Sequence, residues 1–294
     1  MRVGPDQLFP GKKFKSTILE IFDTKTAMSG SLTTRYLQRA AMAGILIGVL
    51  YCLNFAVVAA FAAVPAGTTT LRSLGTLAGA LTFGLALVFI YYSKSELLTS
   101  NMMIVSIGWY YRRTSWARAL RLLGLCLVGN ALGGLFVAVL LRFSTIADGA
   151  PLKQMDAAVA HKLEYITSGP GGWVDLLVRA ILCNFMINAA MLMVYTEVIK
   201  DDLTKCLVMI ASVFTFVFLG FDHSVANTAL FSIVGLKEHI DLAPAAANLG
   251  IALLGNYIGG GLLIGIYYAY ISDDASYLRA HPPAPSGGDG DRPE

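Results

Sequence analysis

Charge is what this chain has least of. Only 14% of its 294 residues are Asp, Glu, Lys or Arg, where a soluble domain carries about a quarter. So few cannot cover a water-facing surface, and a mean hydropathy of +0.64 points the same way. Cysteine is scarce too. Cys52, Cys126, Cys183 and Cys206 stand singly in apolar blocks, with no Cys-x-x-Cys pair. That spacing excludes a cysteine-based metal site or redox pair and leaves four small packing residues. A secretory leader is not expected either: the first ~38 residues are polar and basic, and the apolar block after them is too long for an h-region.

What is present is apolar sequence in blocks of membrane-spanning length, about 20 residues or more. Six are legible: Ala40–Val64, Leu74–Ile107, Leu120–Phe143, Trp173–Ile199, Leu207–Val234 and Ala243–Ile271. The fold class is therefore an all-α polytopic membrane protein with six transmembrane helices. The second and fifth blocks hold polar residues near their middles: Lys94 and Glu96 in one, Asp222 and His223 in the other. A straight lipid-facing helix does not tolerate these, whereas a broken helix lining a cavity does.

Basic residues set the orientation. The N-terminal segment carries Arg2, Lys12, Lys13, Lys15, Lys25, Arg35 and Arg39. The loops after the second and fourth blocks carry Arg112, Arg113, Arg118, Arg121, Lys200 and Lys205. The alternate loops are poorer, so N- and C-termini are both expected on the cytoplasmic side of a cell or inner membrane. Residues 1–38 read as a leader, with Phe14, Ile18, Ile21 and Phe22 at helical spacing predicting a short interfacial amphipathic helix. Residues 39–272 read as the transmembrane domain, and the Pro- and Gly-rich 273–294 as a disordered tail.

Inside that domain lies a repeat. Glu96 precedes Asn101 by five residues, and Asp222 precedes Asn227 by five. Gly129-Asn130 is followed by Gly133, and Gly255-Asn256 by Gly259. One offset of 126 relates all of them (222 − 96, 227 − 101, 256 − 130, 259 − 133). Each half, about 39–143 and 173–272, has three spans, so the halves enter the membrane in opposite senses as an inverted 3+3 repeat. Glu96 and Asp222 fall at the starts of two half-helices, where an acid can cap free backbone N–H groups.

The segments "SELLTSN", "ILCNFM", "GFDHSVAN" and "LLGNYIGGGLLIG" resemble the formate/nitrite transporter family of small monovalent anion channels. The resemblance runs over nearly all six spans, roughly Lys25 to Ile271. It implies an aquaporin-like protomer, assembled as a homopentamer with a pore in each protomer. It matches His223 to the central pore histidine and Thr99 to the threonine facing it. Asn184 and Asn227 match polar residues of the substrate pathway. Phe83 and Leu87 match apolar constriction residues on one side of the histidine, and Phe216 the constriction on the other. Two departures stand out. Asp222 replaces the family's usual Glu before the histidine. The region of its vestibule lysine, about sixteen residues before the matching asparagine, reads "SGPGG"; the nearest lysine is Lys162, 22 residues before Asn184 (184 − 162).

These residues suit anion passage. A bare anion entering a dry constriction is costly, and the same low dielectric favours the protonated form of a weak acid. The expected function is transport of small monovalent anions such as formate or nitrite, with acetate, lactate and hydrosulfide as further candidates. His223 would act as hydrogen-bond donor or proton relay in a channel-like or H⁺-coupled mode. The alternative is a channel for water or small neutral solutes on the same fold, but the Asn-Pro-Ala signatures such a channel would show at the half-helix starts are missing. An enzyme is not expected: Asp222, His223 and Ser224 are adjacent, and neighbours on a helix point about 100° apart. No cofactor, metal or nucleic-acid partner is expected; the lipid bilayer, the anion, H⁺ and four further copies of the chain are.

Overall fold

The computed structural model describes residues 8–9, 11–196 and 198–281. The chain is helical almost throughout. Helix α1 (Lys12–Ser31) is followed after one residue by α2 (Thr33–Ala62), then a two-stranded hairpin, β1 (Pro65–Ala66) and β2 (Thr69–Thr70). Next come α3 (Arg72–Tyr92), α4 (Leu98–Tyr110), α5 (Trp116–Arg142), α6 (Ala150–Thr167), α7 (Pro170–Tyr195), α8 (Asp202–Phe218) and α9 (Ser224–Lys237). Helix α10 (Leu242–Asn256) runs through a π-helical segment (Tyr257–Ile266) into α11 (Tyr267–Ile271), and α12 (Ala275–Ala280) closes the described chain. Among the described residues, five helices are long and apolar enough to cross a membrane.

Local chemistry explains several helix starts. Asp201 accepts the N–H of Thr204 at 2.7 Å and Asp241 that of Ala243 at 3.1 Å, each a side-chain N-cap. In α7 a proline occupies the first turn, where its missing N–H costs nothing.

The second and fifth blocks are both interrupted, as their buried polar residues require. The first break separates α3 from α4, the second α8 from α9. The half-helices α4 and α9 lie deep in the protein: every residue from Leu98 to Gly108 is buried, as are most of α9. A helix apolar all round belongs in an interior.

Packing follows the 126-residue offset. Helix α2 crosses α5 so closely that a Cβ on Gly133 would sit 1.9 Å from the Ala41 carbonyl oxygen. Helix α7 crosses the π-helical segment in the same manner: a Cβ on Gly259 would sit 2.0 Å from the Ile181 carbonyl oxygen. Small residues are what allow such crossings in lipid.

Three expectations change. The apolar face of α1 does not lie at a lipid interface. Phe14, Ile18 and Phe22 are buried in one cluster with Tyr36, Leu97, Ile104 and Ile107, because Gly108 leaves a hollow in α4 against which the Phe22 ring packs. The long segment before α7, read as a loop, contains α6, whose Met155 and Val159 are buried against α2, α5 and α9 residues. The tail read as disordered from 273 forms α12 over Ala275–Ala280; residues 282–294 lie outside the described residues.

Candidate functional site

The two breaks expose backbone groups that a buried site must satisfy. Asn130, from α5, does this for the first. Its Oδ1 accepts the Leu98 N–H at 3.0 Å, and its Nδ2 donates to the carbonyls of Glu96 and Ala40, both at 2.8 Å. Asn256, ending α10, does it for the second: Oδ1 accepts Ser224 N–H at 2.9 Å, and Nδ2 donates to Asp222 O at 3.0 Å and Ala180 O at 2.8 Å. The capping role expected of Glu96 and Asp222 therefore belongs to asparagines from neighbouring helices.

The two acids have other partners. Glu96 is fully buried; Lys25 of α1 and Arg39 (at 3.2 Å) pair with its carboxylate, and Asn101 Nδ2 donates to it at 3.1 Å. Asp222, equally buried, pairs with Lys162 of α6 at 2.5 Å and receives Asn227 Nδ2 at 2.9 Å. Each repeat-related acid thus gets its lysine from an element outside the two repeats. Burial alone would lower the Lys162 ammonium's pKa, but Asp222, with Tyr51 and Tyr165, holds it above the usual lysine value.

His223, 4% exposed, stands at the start of α9 directly after Asp222. Its Nδ1 accepts the Ala226 N–H at 3.1 Å, so the neutral ring carries its proton on Nε2. Nε2 faces Thr99 Oγ1 at 3.2 Å. Thr99 is held from behind, its carbonyl accepting Asn184 Nδ2 at 3.1 Å and Asn188 Nδ2 at 3.2 Å. The ring of Phe216 stacks on His223 with centroids 5.9 Å apart.

The apolar residues group differently from expectation. Phe83 meets Phe216 edge-on at 6.4 Å, and both line the His223 side, whereas Leu87 lines the opposite one. Phe83 and Leu87 stand one helical turn apart on α3, so they fall to different sides of the narrowing. The hollow on the His223 side has a volume of about 380 Å³ and is lined by Tyr51, Asn54, Lys162 and Arg179 besides Phe83 and Phe216. The one on the side of the termini holds about 770 Å³, and its wall includes Lys25, Arg39, Lys94, Glu96, Lys200 and Lys205.

The structure brings His223, Thr99, Phe83 and Phe216 together. Asn227 binds Asp222, while Asn184 is a scaffold residue behind Thr99. Asn188 was missed, although its spacing of four from Asn184 marks the same helix face; it also donates to Asn184 Oδ1 at 2.8 Å. Lys25 carries no local signal, because its partner lies 71 residues away. Among the described residues no cluster could hold a metal ion.

The family profile "Formate/nitrite transporter" matches residues 15–270. The chain belongs to that family. As a formate/nitrite transporter family member it is an integral, multi-pass membrane transport protein and not an enzyme. It is 30% identical over 201 residues to an uncharacterised transporter, YwcJ, of Bacillus subtilis, covering 67% of this chain and 75% of the relative. It is 28% identical to the nitrite transporter NirC of Salmonella typhimurium over 235 residues, 79% of this chain and 81% of NirC. Identity to the formate channel FocA of Haemophilus influenzae is 28% over 256 residues, 79% and 86% of the two chains. Among solved structures, one described as an FNT family ion channel superposes with a TM-score of 0.75 at 24% identity, covering 88% of this chain and 99% of the other. A pentameric formate channel with formate bound gives 0.65 at 21% identity, covering 82% and 98%.

Proposed function

We propose that this family member carries small monovalent anions of weak acids, of the formate or nitrite class, through a pore in each protomer of a homopentamer. The observation that carries the reading is His223: a buried imidazole with a neutral Nε2–H, at an apolar narrowing between two cation-lined hollows. Phe83 and Phe216 on one side and Leu87 on the other exclude water and make the charged form of a substrate costly. His223 Nε2–H and the Thr99 hydroxyl supply donors to an oxyanion there. Lys25 and Lys162 stand one at each approach, paired with the buried Glu96 and Asp222. The relatives named for nitrite and formate support this substrate class.

Donation is favoured over proton relay by His223. To accept a second proton at Nδ1 the ring must release the Ala226 N–H, and a buried donor left unmade costs about 1–3 kcal/mol. The mirrored Asn130 and Asn256 networks support six spans in an inverted 3+3 arrangement, with α3–α4 and α8–α9 as the broken second and fifth. The basic segments support a cytoplasmic location for both termini. The deciding experiment is flux of formate, nitrite, acetate, lactate and hydrosulfide into proteoliposomes at pH 5 and 7.5, with and without a proton gradient. Saturable, protein-dependent uptake that is faster at pH 5 is expected; passage of water or glycerol with no anion flux would refute the reading.

A further inference from the structure

The break after α3 is closed by a residue that its backbone does not suit. The Ser95 N–H reaches back to the Ile90 carbonyl at 3.0 Å, and Lys94 between them turns to φ 56°. The break after α8 closes in the same way: Phe221 N–H bonds the Phe216 carbonyl at 2.9 Å, and the turning residue is Gly220 at φ 69°. The two turning residues are related by the repeat offset (220 − 94 = 126). Left-handed backbone is free to glycine and disfavoured for any residue with a Cβ. Lysine therefore occupies a place where glycine, used in the other half, is the easier choice, and strain of this kind is retained at functional positions. Among the described residues the other non-glycine residue with positive φ, Arg112, does not line the hollow near the termini, and its counterpart at the same offset, Glu238, has φ −124°.

The Lys94 side chain explains the exception. It is exposed on the wall of the 770 Å³ hollow, with Nζ 5.0 Å over the Tyr91 ring. Lys25 and Arg39 share the single carboxylate of Glu96, and Lys205 pairs with Asp202; Lys13 and Lys200 also line the hollow, but neither sits at a left-handed turn. Among the described residues no carboxylate lies within ion-pair distance of Lys94. Its backbone is clamped as well, the carbonyl accepting Arg39 Nε at 2.6 Å. An exposed cation on a clamped backbone, with no acid in ion-pair distance among the described residues, thus faces the hollow two residues before Glu96.

We propose that Lys94 is a binding station for small monovalent oxyanions, taking up the substrate on the side of the termini before it enters the narrowing. The proposal rests on the anion-transport reading above. Its test compares full-length wild type with Lys94→Gly, Lys94→Gln and Lys94→Arg in vesicles of one orientation, with formate presented to that face. Lys94→Gly and Lys94→Gln should raise the apparent KM roughly fivefold with little change in maximal rate, and flatten its dependence on ionic strength, since the lost attraction is one exposed, screened charge. Lys94→Arg should keep the wild-type KM. The melting temperature of Lys94→Gly should equal or exceed the wild-type value, because glycine relieves the left-handed turn. An unchanged KM and salt dependence in Lys94→Gly would overturn the proposal while leaving the transport reading intact. A lowered melting temperature together with the KM change would assign Lys94 a structural part instead. Wild-type vesicles that pass no formate would overturn the transport reading and this proposal with it.

Discussion

Thr99 Oγ1 stands 3.2 Å from His223 Nε2, across the narrowing between the two halves of the chain. The ring's other nitrogen holds the start of α9 by accepting the Ala226 N–H. One imidazole therefore serves the fold with Nδ1 and faces the pathway with Nε2, and substitutions can separate these duties. His223→Phe removes both: melting temperature and formate uptake should fall together. His223→Asn keeps an oxygen able to cap α9, so stability should be near wild type. Uptake at pH 5 should still fall by roughly 10- to 100-fold, the loss of a hydrogen bond to a charged group worth about 1.5–3 kcal/mol. Vesicle uptake alongside thermal unfolding in detergent distinguishes the two variants.

Asn130 and Asn256 each close three hydrogen bonds at a helix break. Asn130→Ala and Asn256→Ala should destabilise to a similar degree, each leaving buried backbone groups unmade at about 1–3 kcal/mol per group. Equilibrium unfolding in detergent measures this. A large effect in one and none in the other would contradict the mirrored arrangement.

The Lys162–Asp222 pair predicts a rescue. Lys162→Met strands a buried carboxylate, and breaking one side of such a pair costs about 3–5 kcal/mol. Adding Asp222→Asn removes the stranded charge, so the double variant should recover much of the stability lost by Lys162→Met. A double-mutant cycle on melting temperatures reads the coupling; additive losses would mean that the pair contributes nothing.

Gly133 and Gly259 predict intolerance. A valine at either position drives its Cβ to about 2 Å from a backbone oxygen of the crossing helix. Neither α2 against α5 nor α7 against the π-helical segment can yield without separating the helices. Both variants should fail to give monodisperse protein by size-exclusion chromatography, whereas valine at Gly124, where no atom lies within 4 Å, should be accepted.

Asp274 ties α1 to the chain after α11 through Lys12 at 3.0 Å and Lys15 at 3.5 Å. The Lys12 hydrogen bond, opposed in part by burial, holds the Asp274 carboxyl below the usual aspartate value. The unfolded state then binds the proton more readily, so the contribution is full above the unfolded pKa of about 3.9 and is lost as pH falls through the folded one. The protection of α1 amides, taken relative to their intrinsic exchange rates, should fall below about pH 4 in wild type. Asp274→Asn should show the reduced protection already at pH 7 and no further change from this site on acidification.

Much of this is legible in the sequence. Apolar blocks of spanning length, the polar interruptions at 94–96 and 222–223, and the spacing of Glu96, Asn101 and Asn130 against Asp222, Asn227 and Asn256 are properties of local sequence. They located both breaks, because a polar group inside an apolar helix forces backbone out of lipid wherever it occurs. The partner of each such group was not legible. Glu96 and Asp222 looked like caps, since a cap is the nearest use for an acid at a helix start; their lysines come from 71 and 60 residues away. Likewise α6 read as a loop, as its few apolar positions make sense only once α2 and α9 form the surface they cover.

Composition and periodicity alone therefore determined a helical membrane protein with two interrupted spans, because the cost of burying polar backbone in lipid acts residue by residue. Only the tertiary structure decided that Asn130 and Asn256 cap the half-helices, that Lys25 and Lys162 neutralise the buried acids, and that Phe83 pairs with Phe216 rather than Leu87. Those outcomes depend on which distant surfaces meet when helices cross at contact distance, and no local pattern encodes that geometry.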